Sequence, residues 1–189
     1  MNDNFDFRDL FVFDLANNHQ GSVEHALDII KKVGAVVRKY QVRGVFKFQF
    51  RQLDSFVHPA HQFESDNKHI PRFISTRLSL ADYRVLLEEV RSEGMLAMCT
   101  PFDEESVVFI KDMKFDLIKV ASCSANDWPL LESVASSNLP VIFSTGGLQL
   151  EHIDDLVSFF EHRGSDFAIM HCVSIYPTPP EDCHLNQID

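Results

Sequence analysis

Residues 44–50 read GVFKFQF. Side chains alternate along a strand, so Phe46, Phe48 and Phe50 share one face, and Val45, Lys47 and Gln49 share the other. An ammonium is costly to bury unless it is paired. A strand with one wholly aromatic face therefore needs a reason to carry Lys47 and Gln49 on its second face.

The rest of the chain repeats the arrangement. Five more strand-like runs are FVFDLANN (11–18), MLAMCTPF (95–102), DLIKVAS (116–122), PVIFSTG (140–146) and FAIMHCVS (167–174). Helical patterns lie between them. SVEHALDIIKKVGAVVRKY has Ser22 as N-cap and apolar residues at helical spacing. SLADYRVLLEEVRSEG has Ser79 as cap and Gly94 as stop. DEESVVFIKDM, DWPLLESVASSN and QLEHIDDLVSFFEHRG complete the set. Strands alternating with helices predict a parallel α/β sheet with right-handed crossovers. Residues 51–75 are the one long irregular segment, and they directly follow the lysine-bearing strand.

An open sheet and a barrel remain to be separated. Polar residues gather at the C-terminal end of every strand: Asn17, Asn18 and His19; Lys47 and Gln49; Thr100 and Asp103; Ser122; Ser144 and Thr145; Ser174. No strand is followed by GxGxxG or GxxxxGK[ST], which weakens the nucleotide-binding open sheets. Chemistry spread over all strand ends is the barrel pattern. A closed (β/α)8 barrel needs eight strands, and about six βα units are present.

Four strands embed one ionisable group among apolar neighbours: Asp14, Lys47, Lys119 and His171. Together they suggest a shared interior where charges pair with each other or with a ligand. The plainer reading is a set of internal ion pairs, such as Asp14 with a lysine, and no chemistry. The amides and hydroxyls of STGG (144–147) precede a helix and could cradle an anion, or simply make a tight turn. His58 and His61 in HPAH have metal-like spacing, but Pro59 argues for a polar loop. Asp103, Glu104 and Glu105 suit a helix start; Asp154 and Asp155 read as a solvated face.

Composition narrows the classes. The net charge of −11 argues against general nucleic-acid or anionic-membrane binding, though not against an anionic small molecule in a local pocket. No run approaches the length of a membrane span. The acidic start MNDNFDFRDLF has no basic n-region, so no secretory signal is expected and the setting reads as cytoplasmic. Cys99, Cys123, Cys172 and Cys183 form no CxxC pair and read as reduced thiols, mostly small buried hydrophobes.

Taken in order, FDLANNHQGS, KFQ, TPFD, KVAS, STGG and HCVSIYPTPPED resemble the sialic acid synthase (N-acetylneuraminate synthase) family from about residue 11 to the end. The resemblance implies a TIM-type (β/α)8 barrel that condenses phosphoenolpyruvate with an N-acylated aldose such as N-acetylmannosamine. The product is a nine-carbon 2-keto acid, and phosphate is released. It also implies a divalent metal (manganese or magnesium) holding the open-chain sugar, and a homodimer whose antifreeze-like domain follows the barrel. Residues 1–189 would be a partial barrel domain, with the metal ligands and that second domain outside it. Such a piece is expected to be inactive alone and to self-associate through open sheet edges.

Carried over by position, Lys47 and Lys119 would hold the phosphoenolpyruvate carboxylate and phosphate. Thr100, Ser122 and Ser144 would donate hydrogen bonds to it. Asn18, Gln49, Ser174 and Tyr176 would line the substrate site, with Gln49 and Tyr176 near the sugar. Asp14, grouped with the two lysines as catalytic, stands where the family usually has a glutamate and is one methylene shorter. Ser124 stands where many members have another glutamate, Ser174 where some have an asparagine, and STGG replaces Ser-Thr-Gly-Met. Lys47 is tolerable in the interior because a dianion arrives there, and a water-poor pocket strengthens the pairing. Two other readings are a Schiff-base aldolase using Lys119 or Lys47, and a non-catalytic barrel fragment serving as sugar-phosphate sensor or assembly partner.

Overall fold

The computed structural model describes residues 4–61, 66, 67 and 69–188. Six parallel strands pair in chain order: β1 (Leu10–Asp14), β2 (Arg43–Phe50), β3 (Leu96–Pro101), β4 (Leu117–Val120), β5 (Val141–Ser144) and β6 (Phe167–Met170). Between them run α1 (Val23–Tyr40), then α2 (Leu53–Phe56), α3 (His69–Ser75) and α4 (Leu80–Ser92), then α5 (Glu104–Asp112), α6 (Trp128–Ser136) and α7 (Leu150–His162).

Local chemistry sets the helix starts. The side chains of Ser22, Asp103 and Asp127 accept from His25, Ser106 and Leu130 amides. Ser79 and Asp82 form a reciprocal capping box at the start of α4. The segment 51–75 is not one irregular loop. It carries α2, a 3-10 turn at Pro59–His61 and α3 among its described residues. Aromatic contacts order it: Phe56 packs edge-on to Phe73 and Phe102, contacts without a period readable in the sequence. Most strands are also shorter at their C-terminal ends than the apolar runs suggest, because the polar tails leave the ladder to build the site.

Alternation divides the sheet as GVFKFQF predicts. Phe46, Phe48 and Phe50 join the main core with Cys99, Ile118, Val120 and Phe143, under the helices. The opposite face holds a second cluster of Val45, Met98, Leu117 and Ile142, joined by residues from β1 and β6. A flat six-stranded sheet would hold its outer strands roughly 24 Å apart at the usual strand spacing. Here the N-terminal segment bridges them, with Phe5 and Phe7 packed into the second cluster and the Phe5 amide donating to Asp166 at 2.8 Å. The sheet curls around this apolar floor. The layers above it on the same face carry the polar residues.

Of the four thiols only Cys99 is buried; Cys123 is exposed, and Cys172 and Cys183 are half-buried. The expectation of mostly buried cysteines therefore fails, because the segments after β4 and β6 lie at the surface. No helix among the described residues is long and apolar enough to cross a membrane.

Candidate active site

Asp14 and Lys47 are register partners on β1 and β2. Their side chains meet, with Asp14 Oδ2 2.9 Å from Lys47 Nζ. Lys47 is nearly enclosed, whereas Asp14 is half open to solvent. Asp14 Oδ1 also accepts the Ala16 amide, which fixes the carboxylate at the strand end.

Lys119 has no such partner. It is 6% exposed, above Leu117 on the same face of β4. Its ammonium donates to Ser144 Oγ at 2.6 Å and to the Val120 carbonyl at 2.7 Å. Among the described residues no carboxylate lies within ion-pair distance of it. Burial first, and then the positive charge of Lys47, pull its pKa down to about 8, while Cys172, Asp14 and Cys123 pull the other way. The interior therefore holds two neighbouring cations and one half-exposed carboxylate.

Further hydroxyls stand at the ends of β3 and β4. Thr100 pairs in register with Gln49, is 2% exposed, and its Oγ1 is buried without a hydrogen-bond partner. A buried, unsatisfied hydroxyl costs roughly 1–3 kcal/mol, so this one has unused hydrogen-bonding capacity. Ser122 Oγ accepts the Gly146 amide at 3.1 Å. A Cβ on Gly146 would stand 2.6 Å from Ser174 Oγ, 3.0 Å from Ser122 Oγ and 3.1 Å from Cys172 Sγ. Only glycine fits that point, where the tails of β4, β5 and β6 converge. Gly147 follows with φ +77°, a conformation that also favours glycine.

The structure does not gather every residue the resemblance named. Tyr176 is fully exposed. Asn18 is also exposed, its amide turned back to the Leu15 carbonyl; its neighbour Asn17 lines a cavity instead. Ser124 is buried, with the Cys123 thiol 3.9 Å from its hydroxyl. His19 is buried and neutral in tendency, its pKa lowered by burial and by His25, and its Nδ1 accepts the Gly21 amide. His171 contacts the Cys183 carbonyl through Nε2 at 2.8 Å and orders the segment after β6. His58, just before the 3-10 turn, and His61, at its end, have ring centroids 5.9 Å apart. Among the described residues no three His, Cys, Asp or Glu side chains gather to hold a metal ion. They offer no ligand set for one.

Arg51 is a site residue that sequence reasoning missed. It follows β2 immediately, and its guanidinium lies 4.2 Å and 4.3 Å from the ring centroids of Phe73 and Phe102. Nη2 donates to Gln49 Oε1 at 3.1 Å. The signal was present as an arginine two residues past Gln49, but the two rings that enclose it come from distant segments.

A NeuB family profile matches residues 26–189. The chain belongs to the NeuB family. It is 31% identical over 182 residues to the N-acetylneuraminate-9-phosphate synthase of Drosophila melanogaster, covering 94% of this chain and 48% of that one. A candidate spore coat polysaccharide biosynthesis protein E from Chromobacterium violaceum superposes with a TM-score of 0.92 at 45% identity, over 96% of this chain and 54% of that one. The N-acetylneuraminic acid synthetase of Leptospira borgpetersenii, solved with citrate, superposes with a TM-score of 0.81 at 26% identity, over 95% and 59%. This NeuB chain spans about half the length of the curated relatives it matches. Its six strands form a half-barrel, a partial TIM-barrel fold like that of the sialic acid synthase structure.

Proposed function

We propose that this NeuB chain supplies the phosphoenolpyruvate half of a synthase site. In the full reaction, C3 of the enol ester bonds to the aldehyde carbon of an N-acylated aldose such as N-acetylmannosamine. The aldehyde oxygen becomes a hydroxyl, water replaces phosphate at C2, and a nine-carbon 2-keto acid and phosphate leave. The observation that carries the reading is Lys119, a buried ammonium with no carboxylate partner among the described residues, held by Ser144 beside Lys47. An anion with several negative charges would offset that unpaired charge. The Thr100 hydroxyl has a free hydrogen-bonding capacity to offer it.

Within this proposal Lys47 and Lys119 bind the carboxylate and phosphate. Ser144 orients Lys119, Thr100 donates to the anion, and Ser122 shapes the Gly146 turn. Asp14 tempers the charge of Lys47. Gln49, one layer further out on β2, faces the sugar. A manganese or magnesium ion at the acceptor belongs to the same proposal, with ligands other than the described residues, and no step is derived through it.

The test is calorimetric titration of phosphoenolpyruvate into the 189-residue chain. Binding that is lost in both Lys47→Ala and Lys119→Met supports the reading. Unchanged affinity in either variant would remove that lysine from the anion site.

One observation favours a second reading. A lysine pulled down to about 8 suits an amine nucleophile. Borohydride trapping of a pyruvate adduct on Lys119 would support a Schiff-base aldolase instead.

A further inference from the structure

Tyr83 is a buried side chain with a polar end for which the condensation has no use. It sits in the first turn of α4, where the Ser79–Asp82 capping box fixes the helix start and the Tyr83 amide donates to the Ser79 carbonyl. Its ring packs edge-on to Phe48 and Phe50, with centroids 6.2 Å and 5.3 Å away. Its hydroxyl donates to the Gln49 carbonyl at 3.0 Å. Burial pushes the phenol pKa up, so the hydroxyl keeps its proton and remains a donor.

The bond falls where the sheet loses a rung. Alternate residues of β2 turn their backbone groups toward β1. Lys47 is one of them, and its carbonyl accepts the Leu15 amide at 3.0 Å. Gln49, two residues on, presents its carbonyl to the same side. In a longer β1 the next donor would be the Asn17 amide, but the chain has already turned away. Ala16 stands at φ +45°, and the Asn18 amide folds back to the Leu15 carbonyl at 2.9 Å. A buried backbone carbonyl needs a partner, and the Tyr83 hydroxyl takes the place of the missing rung. Gln49 is also the register partner of Thr100, as Lys47 is of Met98. The hold on β2 therefore extends across the β2–β3 ladder to Thr100.

We infer that Tyr83 is a positioning residue for the anion site. Its hydroxyl holds the end of β2 where β1 has left it, and so keeps Lys47 and Thr100 aimed at one ligand. The effect on binding rests on the proposed phosphoenolpyruvate site; the hold on the strand does not.

The test compares the 189-residue chain with its Tyr83→Phe variant, which keeps the ring and removes the hydroxyl. Hydrogen exchange at the Phe50 and Thr100 amides is expected to speed up roughly tenfold, with α5–α7 unchanged. Phosphoenolpyruvate should bind roughly tenfold more weakly. Ser137→Ala is the control: it removes a buried hydroxyl that donates to the Val134 carbonyl at 2.7 Å at the end of α6, and it should leave the affinity unchanged. Thr100→Val should cost less affinity in the Tyr83→Phe background than alone, as coupled groups do. Unchanged exchange at the end of β2 overturns the proposal. So does an affinity loss that Ser137→Ala reproduces, or full additivity with Thr100→Val. If the unmutated chain binds no phosphoenolpyruvate, the anion-site reading fails, and the exchange rates still decide whether Tyr83 holds the strand.

Discussion

Asp14 Oδ2 lies 2.9 Å from Lys47 Nζ, whereas Lys119 donates to a hydroxyl and a carbonyl and has no carboxylate partner among the described residues. One interior lysine is balanced and the other is not. The plainer reading of the sequence, internal ion pairs without chemistry, therefore accounts for Lys47 and fails for Lys119.

Asp14→Asn tests the balancing role. The pair is half exposed on the Asp14 side, so its loss should cost stability by only about 1 kcal/mol in urea denaturation. Phosphoenolpyruvate affinity should hold or rise, because the site becomes more positive. A tenfold loss of affinity would show that Asp14 acts on the ligand directly.

Lys119→Met should leave the empty chain as stable or more stable, since an unpaired buried charge is replaced by an apolar side chain of similar length. Binding of phosphoenolpyruvate should weaken by roughly 2–5 kcal/mol, the cost of truncating one partner of a buried charge pair. A variant that fails to fold would assign Lys119 to the architecture of the half-barrel.

The pKa of Lys119 carries a pH signature. It lies near 8 in the folded chain, below the ordinary lysine value of 10.5. Between these values the unfolded state holds the proton and the native state has released it. This group therefore makes stability rise as pH climbs from about 8 to 10.5, with no slope from it below 8. Lys119→Met should remove that rise in denaturation curves. An arriving dianion favours the charged amine, so phosphoenolpyruvate binding near pH 8 should take up protons, seen by calorimetry in buffers of different ionisation enthalpy. Proton release on binding would contradict this.

Gly146→Ala should destabilise the chain by roughly 1–3 kcal/mol, as an added methyl in a filled site does. Its Cβ would meet Ser174 Oγ, Ser122 Oγ and Cys172 Sγ. Adding Ser174→Ala should recover part of the loss, since the nearest of those atoms is then gone. Purely additive effects in the double mutant would mean that the turn relaxes another way.

The order and direction of the elements follow from local sequence patterns. Strand alternation and helix capping act over two to four residues, so Phe46, Phe48 and Phe50 against Val45, Lys47 and Gln49, and the caps Ser22, Ser79 and Asp103, are visible without coordinates. The ordered strand-end motifs also sufficed for the family. Which groups meet depends on packing between distant segments. Asp14 reaches Lys47 rather than Lys119 because adjacent strands put those two in register. Asn17 lines the cavity while Asn18 does not, and Tyr176 stands fully in solvent, because the segments after β1 and β6 leave the strand period. Arg51 becomes a half-buried cation, with no carboxylate ion-paired to it among the described residues, only when Phe73 and Phe102 close over it. Burial is set by residues far apart along the chain, and no local pattern encodes it.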